Sequence, residues 1–205
     1  MKRQIVRDVA TLESIYGQPA SPSLVKETPF IHPLYRPWIE KAPFVALATA
    51  GQGGLDVSPR GDAPGFIHIE DRHTLLLPDR RGNNRIDSLR NLLEDDRVAL
   101  LFLIPGIGEA LRVNGRATID IAPELLARFA SNGQLPRSVL RIEVEAVFFQ
   151  CSRAILRAGL WSVESQLTKG DLPTPGEILQ ALSQGAVDGN AYDAALPQRV
   201  RDTLY

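Results

Sequence analysis

The sequence predicts a mainly β domain with flanking helices, an α+β class in which an antiparallel barrel is favoured over a doubly wound parallel sheet. Three observations carry this. Between Phe44 and Phe148 strand-like segments follow one another with few helices between them. The glycine-rich turn Gly51-Gln52-Gly53-Gly54 joins two of these segments as a hairpin. Helical periodicity is concentrated towards the two ends of the chain, so residues 1–42 read as a helical extension, 43–161 as the barrel and 162–205 as a C-terminal helical segment of one domain.

Val6, Val9, Leu12 and Ile15 recur at helical spacing, predicting a helix over residues 4–16 that ends near Gly17-Gln18-Pro19. Ser21-Pro22-Ser23 has the form of an N-cap followed by proline at the first helical position. A third helix begins at His32-Pro33 and carries Leu34, Tyr35, Trp38 and Ile39, with Trp38 read as core packing ahead of a pocket wall. Pro43 closes this region.

Phe44–Ala50 and Leu55–Ser58 form the predicted hairpin, and Pro59-Arg60-Gly61-Asp62 is expected to interrupt or bulge its second strand. Phe66–Ile69 and Thr74–Leu77 are the next strands, joined by the turn Glu70–His73. Arg85–Leu93 places Ile86, Leu89, Leu92 and Leu93 on one helical face, and Glu94-Asp95-Asp96 ends that helix. Val98–Ile104 is a continuous apolar run, expected to be a central strand buried on both faces. Ala110–Ile119 and Val139–Phe148 are further strands, separated by a short helix over Pro123–Ala130. Near the C-terminus, Thr174-Pro175-Gly176-Glu177 has the pattern of a capping box, with Ile178, Leu179 and Leu182 as the expected buried side. Leu196, Val200 and Leu204 share one face of a last helix.

The formal net charge of -1 supplies no global basic field, so neither nucleic acid nor an anionic membrane is an expected partner. Cys151 is the one cysteine, which leaves no internal disulfide and no cysteine-built zinc site within one chain. The first residues lack the apolar core of a signal peptide, and no apolar run is long enough to cross a bilayer. The expectation is a soluble, cytoplasmic protein.

Against that near-neutral background one stretch stands out. Pro78-Asp79-Arg80-Arg81-Gly82-Asn83-Asn84-Arg85 packs three arginines, two asparagines and a glycine into eight residues between a strand and a helix. Guanidinium groups bind phosphate in bidentate fashion, glycine lets backbone N–H groups approach an oxygen, and a helix beginning afterwards adds its positive end. The local composition fits both a phosphate pocket and a solvated basic turn. Arg60 has the same double reading, as a cation able to reach a ligand or as an ion-pair partner of Asp62.

The order of these parts resembles the pyridoxamine 5′-phosphate oxidase-like flavoproteins with a split β-barrel. The resemblance is carried by the hairpin Val45–Ser58, by Ser58-Pro59-Arg60-Gly61-Asp62, by Leu75–Arg85, by Glu94–Phe102 and by Leu111–Ala117. Cys151–Trp161 adds a sixth segment, with Arg153 where lysine is commoner and Ala158 where serine is commoner in the family. It implies an antiparallel split β-barrel binding FMN at the interface of a homodimer, with oxidoreductase activity on a small molecule. It also implies that Arg81, Asn84 and Arg85 hold the phosphate, with Pro78, Asp79 and Arg80 in the same segment. Ser58 and Arg60 would meet the isoalloxazine edge, and Arg112 and Trp161 would lie near the cofactor. For Arg112 a salt bridge with Glu109 or Glu143 is the alternative, and for Trp161 simple packing.

No catalytic residue is evident, and His32, His68 and His73 lack metal-ligand spacing. Cys151, with no supporting histidine arrangement, reads as a buried small hydrophobe rather than a nucleophile. A non-catalytic flavin or haem binder and a deazaflavin-dependent reductase remain as alternative functions.

Overall fold

The computed structural model of the chain describes residues 3–168 and 170–204. Three short helices come first: α1 (Val9–Tyr16), α2 (Ser21–Val25) and α3 (Arg36–Lys41). The strands follow as β1 (Phe44–Gly51), β2 (Gly54–Gly61), β3 (His68–Asp71), β4 (Thr74–Asp79), β5 (Arg97–Leu103), β6 (Ala110–Asp120) and β7 (Ser138–Gln150). Between them lie α4 (Asp87–Glu94) and α5 (Pro123–Arg128). After them come α6 (Arg153–Ala158), α7 (Pro175–Leu182) and α8 (Gly189–Thr203).

All seven strands join one antiparallel sheet in the order β2-β1-β5-β6-β7-β4-β3. Four strands separate β2 from β4, which on a flat sheet would hold them about 24 Å apart at ~4.8 Å per strand. Instead the ends of β2 and β4 touch. Arg60 of β2 is ion-paired with Asp79 of β4, and Arg80, just past β4, meets Asp62, just past β2, at 2.5 Å. The sheet is therefore rolled, and side chains close it where backbone pairing does not. Val45, Leu47, Leu75, Leu77, Leu100, Phe102, Leu111, Leu140 and Ile142 fill its interior.

Several local expectations change. Pro59 does not interrupt β2, which runs unbroken through Pro59 and Arg60 to Gly61. β2 is an edge strand, where a missing N–H costs no ladder bond. β5 is central in the sheet but not buried on both faces: it alternates, with Leu101 exposed. On α4 the buried residues are Ser88, Asn91 and Leu92, while Ile86 and Leu93 are exposed. The helix is turned so that two polar side chains meet the β1–β2 hairpin, where Asn91 donates to Thr49 Oγ1 at 3.2 Å and to the Gly54 carbonyl at 3.3 Å.

Trp38 packs against the core as expected. The α7 capping box forms, Thr174 accepting from the Glu177 amide and Glu177 from the Thr174 amide. Ile178 and Leu182 are exposed, however, because α7 meets α8 through glycine instead. A Cβ on Gly176 would lie 2.2 Å from the Gly189 carbonyl oxygen. No described helix is long and apolar enough to cross a membrane.

Candidate functional site

Where β2 meets β4 and the start of α4, the closed end of the sheet opens into a cleft of about 460 Å³. Period-two alternation decides which side chains enter it. On β2, Asp56, Ser58 and Arg60 share the half-buried face that lines the cleft, while Leu55 and Val57 alternate with them and are exposed; Pro59, though exposed, also borders it. Residues 82–89 supply the facing wall.

A chain of hydrogen bonds fixes the β2 side of the cleft. Ser88 Oγ donates to Asp56, so the Ser58 hydroxyl is left to donate to Ser88 Oγ at 3.1 Å. Ser58 Oγ in turn accepts from Arg60 Nε at 3.2 Å, and the other end of that guanidinium pairs with Asp79. Arg60 is thus held at both ends, by a neutral hydroxyl and by a carboxylate. Asp62, the partner open to Arg60 in the sequence, binds Arg80 instead. The two arginine–aspartate pairs cross between the strand ends.

Arg80 turns inward rather than to solvent. Its Nη1 also donates to the Phe129 carbonyl at 3.1 Å, and only 23% of its side chain is exposed. Asn84 has a left-handed backbone, φ 62°, a conformation that asparagine tolerates better than most residues. Arg85 is exposed and donates to Asp87 at 2.6 Å, and that hydrogen bond raises its pKa above the ordinary arginine value.

Of the residues named from sequence, Ser58, Arg60, Asp79, Arg80, Asn84 and Arg85 line this cleft together. Pro78 and Arg81 line an adjoining recess of about 190 Å³ that shares Arg60 and Arg80 with it. Arg112 and Trp161 line neither. The Arg112 guanidinium lies 4.8 Å from the Phe148 ring centroid, in a cation–π contact rather than a salt bridge with Glu109 or Glu143. The Trp161 indole N–H donates to the Ile107 carbonyl at 2.7 Å, tying the segment after α6 to the β5–β6 turn. Cys151 is exposed rather than buried, and its thiol pKa is lowered, first by a hydrogen bond from the Arg153 amide.

Sequence reasoning missed Arg137, Asp56 and Ser88. Arg137 lies 52 positions beyond the Pro78–Arg85 cluster, yet its amide donates to the Asp79 carbonyl at 3.0 Å and its side chain enters the cleft. Only the β4–β7 pairing brings it there. The polar positions Asp56 and Ser88 were visible, but an alternating strand and a helical face do not by themselves say that two such faces meet.

The model of the family described as pyridoxamine 5′-phosphate oxidase matches residues 31–151, more than half of the chain. The chain belongs to the pyridoxamine 5′-phosphate oxidase family. A search of curated proteins returned no match. Among solved structures, HupZ of Group A Streptococcus is 19% identical, with 60% of this chain and 95% of that one covered and a TM-score of 0.48. General stress protein 26 of Bacillus anthracis is 16% identical, covering 56% of this chain and 88% of that one at a TM-score of 0.41. An FMN-binding protein of Syntrophomonas wolfei is 15% identical, covering 68% and 96% at a TM-score of 0.43. The family match spans the site: β2, the Pro78–Arg85 segment, α4 and Arg137 all fall inside it.

Proposed function

We propose that the cleft binds FMN and that this member of the pyridoxamine 5′-phosphate oxidase family is an FMN-dependent oxidoreductase acting on a small molecule. The observation that carries this reading is the donor set gathered where β2, β4 and α4 meet. Arg80, Arg85, Arg137, Gly82, Asn83 and Asn84 line one side, and the network of Ser58, Arg60 and Ser88 lies on the other. A volume of about 460 Å³ is within the ~300–1,000 Å³ usual for ligand and cofactor pockets. Such donors suit a phosphate at one end and the polar edge of a flavin ring at the other. When bound, FMN supplies the electron or hydride chemistry, and this chain binds and orients it.

The same proposal makes the protein a homodimer with the cofactor at the subunit interface. The outer face of the β2-β1-β5 sheet supports it. Pairing register sets Pro59, Ala46, Leu101, Arg112 and Phe148 in one row across five strands. Beside this row Leu55 and Val57 are 88% and 67% exposed, and α4 packs on the opposite face of these strands. Exposed apolar patches of this kind mark association surfaces. Arg112 lies on that outer face, away from the cleft of its own chain.

The absorption spectrum of the purified protein tests the reading. Oxidised-flavin bands that remain after gel filtration, or that appear on adding FMN, support it. A Soret band would assign the site to haem, and tighter binding of a deazaflavin in parallel titrations would assign it to that cofactor. A colourless protein that ignores added FMN overturns it. Photoreduction without oxygen, followed by candidate acceptors, separates an enzyme from a flavin store.

A further inference from the structure

Charge pairing sorts the arginines around the cleft into two groups. Arg60 is committed to Asp79, Arg80 to Asp62 and Arg85 to Asp87. Arg81 and Arg137 form no ion pair among the described residues. These two meet at a side pocket of about 240 Å³, lined by Arg80, Arg81, Gln134, Leu135 and Arg137 and containing no carboxylate. The main cleft, in contrast, includes Asp56, Asp79 and Asp87. Arg80 and Arg137 line both spaces, so the acid-free pocket is the anion-attracting end of the cleft.

Arg137 is also positioned. Its amide is held by the Asp79 carbonyl, and its Nη1 donates to Asn84 Oδ1 at 2.8 Å. That bond spends one of five guanidinium donors on a neutral oxygen and leaves the positive charge uncompensated. An arginine already paired with a carboxylate offers a phosphate dianion less, because part of its donor fork and of its field is taken.

We propose that Arg137, with Arg81, is the guanidinium pair that takes the phosphate of the cofactor, and that Asn84 positions Arg137 for it. Arg85, which the sequence places among the phosphate ligands, shapes the loop instead, its amide donating to Asn83 Oδ1 at 3.0 Å and its side chain to Asp87. This rests on the flavin reading and assigns a strand-entry residue far from the loop to the cofactor's anionic end. The chemical class recognised is a phosphomonoester dianion.

Riboflavin, which has the ring of FMN and no phosphate, separates phosphate binding from general damage to the site. Arg137→Ala and Arg81→Ala are each expected to weaken FMN by about 10- to 100-fold and to leave riboflavin within about 2-fold. Inorganic phosphate should raise the Tm of the unsubstituted protein and fail to raise that of Arg137→Ala. Equal losses for FMN and riboflavin in Arg137→Ala, or an unchanged FMN affinity, overturn the proposal. If the unsubstituted protein binds neither flavin but gains Tm from phosphate through Arg137, the flavin reading falls and the anion grip stands. If phosphate has no effect either, both fall.

Discussion

Replacing Asp79 with alanine removes one half of the crossed clasp that closes the sheet. Arg60 and Asp79 have side chains only 20% and 13% exposed, so the pair lies well below the surface regime in which ion pairs contribute little. Removing one partner of a fully buried pair costs ~3–5 kcal/mol, because the other charge stays desolvated. The partial exposure here, and the Ser58 hydroxyl still accepting from Arg60, reduce that to about 2–3 kcal/mol. For a chain of 205 residues this corresponds to a Tm drop of about 4–12 °C.

Asp62→Ala, whose carboxylate holds Arg80, should act similarly, and the double substitution should depart from additivity because both pairs pin the same two strand ends. Urea denaturation of the four proteins, read by far-UV circular dichroism, measures all three quantities. Asp79→Asn, which removes charge while keeping volume, should fall between the parent and alanine. A loss under about 0.5 kcal/mol for Asp79→Ala, in the range of an ordinary surface substitution, would refute the reasoning. The closing pairs would then be decoration, and the rolled sheet would owe its shape to core packing alone.

Two other outcomes follow from the geometry. Gly115→Ala, at the bulge between β6 and β7, puts a Cβ 2.0 Å from the Glu143 carbonyl oxygen; because the clash is with backbone, the cost should reach or exceed the top of the ~1–3 kcal/mol overpacking range, read as a shifted urea midpoint. The Arg97 side chain, and then its amide, hold the Asp95 pKa at about 2, below the ordinary 3.8. A depressed carboxylate contributes stability above its ordinary pKa and loses it as pH falls through the depressed one, so this contribution disappears between about pH 4 and 2. Carboxyl-carbon NMR titration should show the low midpoint, and Arg97→Ala should move it up towards the ordinary value.

Much of this fold was legible in the sequence because it depends on local periodicity. Alternation marked β2 and β7, an apolar run marked β1, the Gly51–Gly54 turn marked the hairpin, and Thr174–Glu177 marked the start of α7. The Pro78–Arg85 cluster was visible because cations so dense in a near-neutral chain are unusual. What periodicity assigned wrongly involved the surroundings of an element. Val98–Ile104 reads as a strand buried on both sides because its residues are apolar, yet no period says whether a second layer covers them. On α4, four apolar residues suggest the buried face; Leu89 and Leu92 do pack inward, but Ser88 and Asn91 take the place of Ile86 and Leu93 because the neighbouring hairpin offers them Asp56, Thr49 and a carbonyl.

By itself, then, the amino-acid sequence determined the class of fold, the order of strands along the chain, and the basic loop with a helix after it. The partners of the arginines were settled only by the tertiary structure. Asp62 is two residues from Arg60 and looks like its natural counter-ion, yet rolling the sheet brings Asp79 to Arg60 and hands Asp62 to Arg80. The same β4–β7 pairing carries Arg137 to Asn84. Coulombic pairing depends on distance in space, and distance along a chain stops predicting it once a sheet curls back on itself.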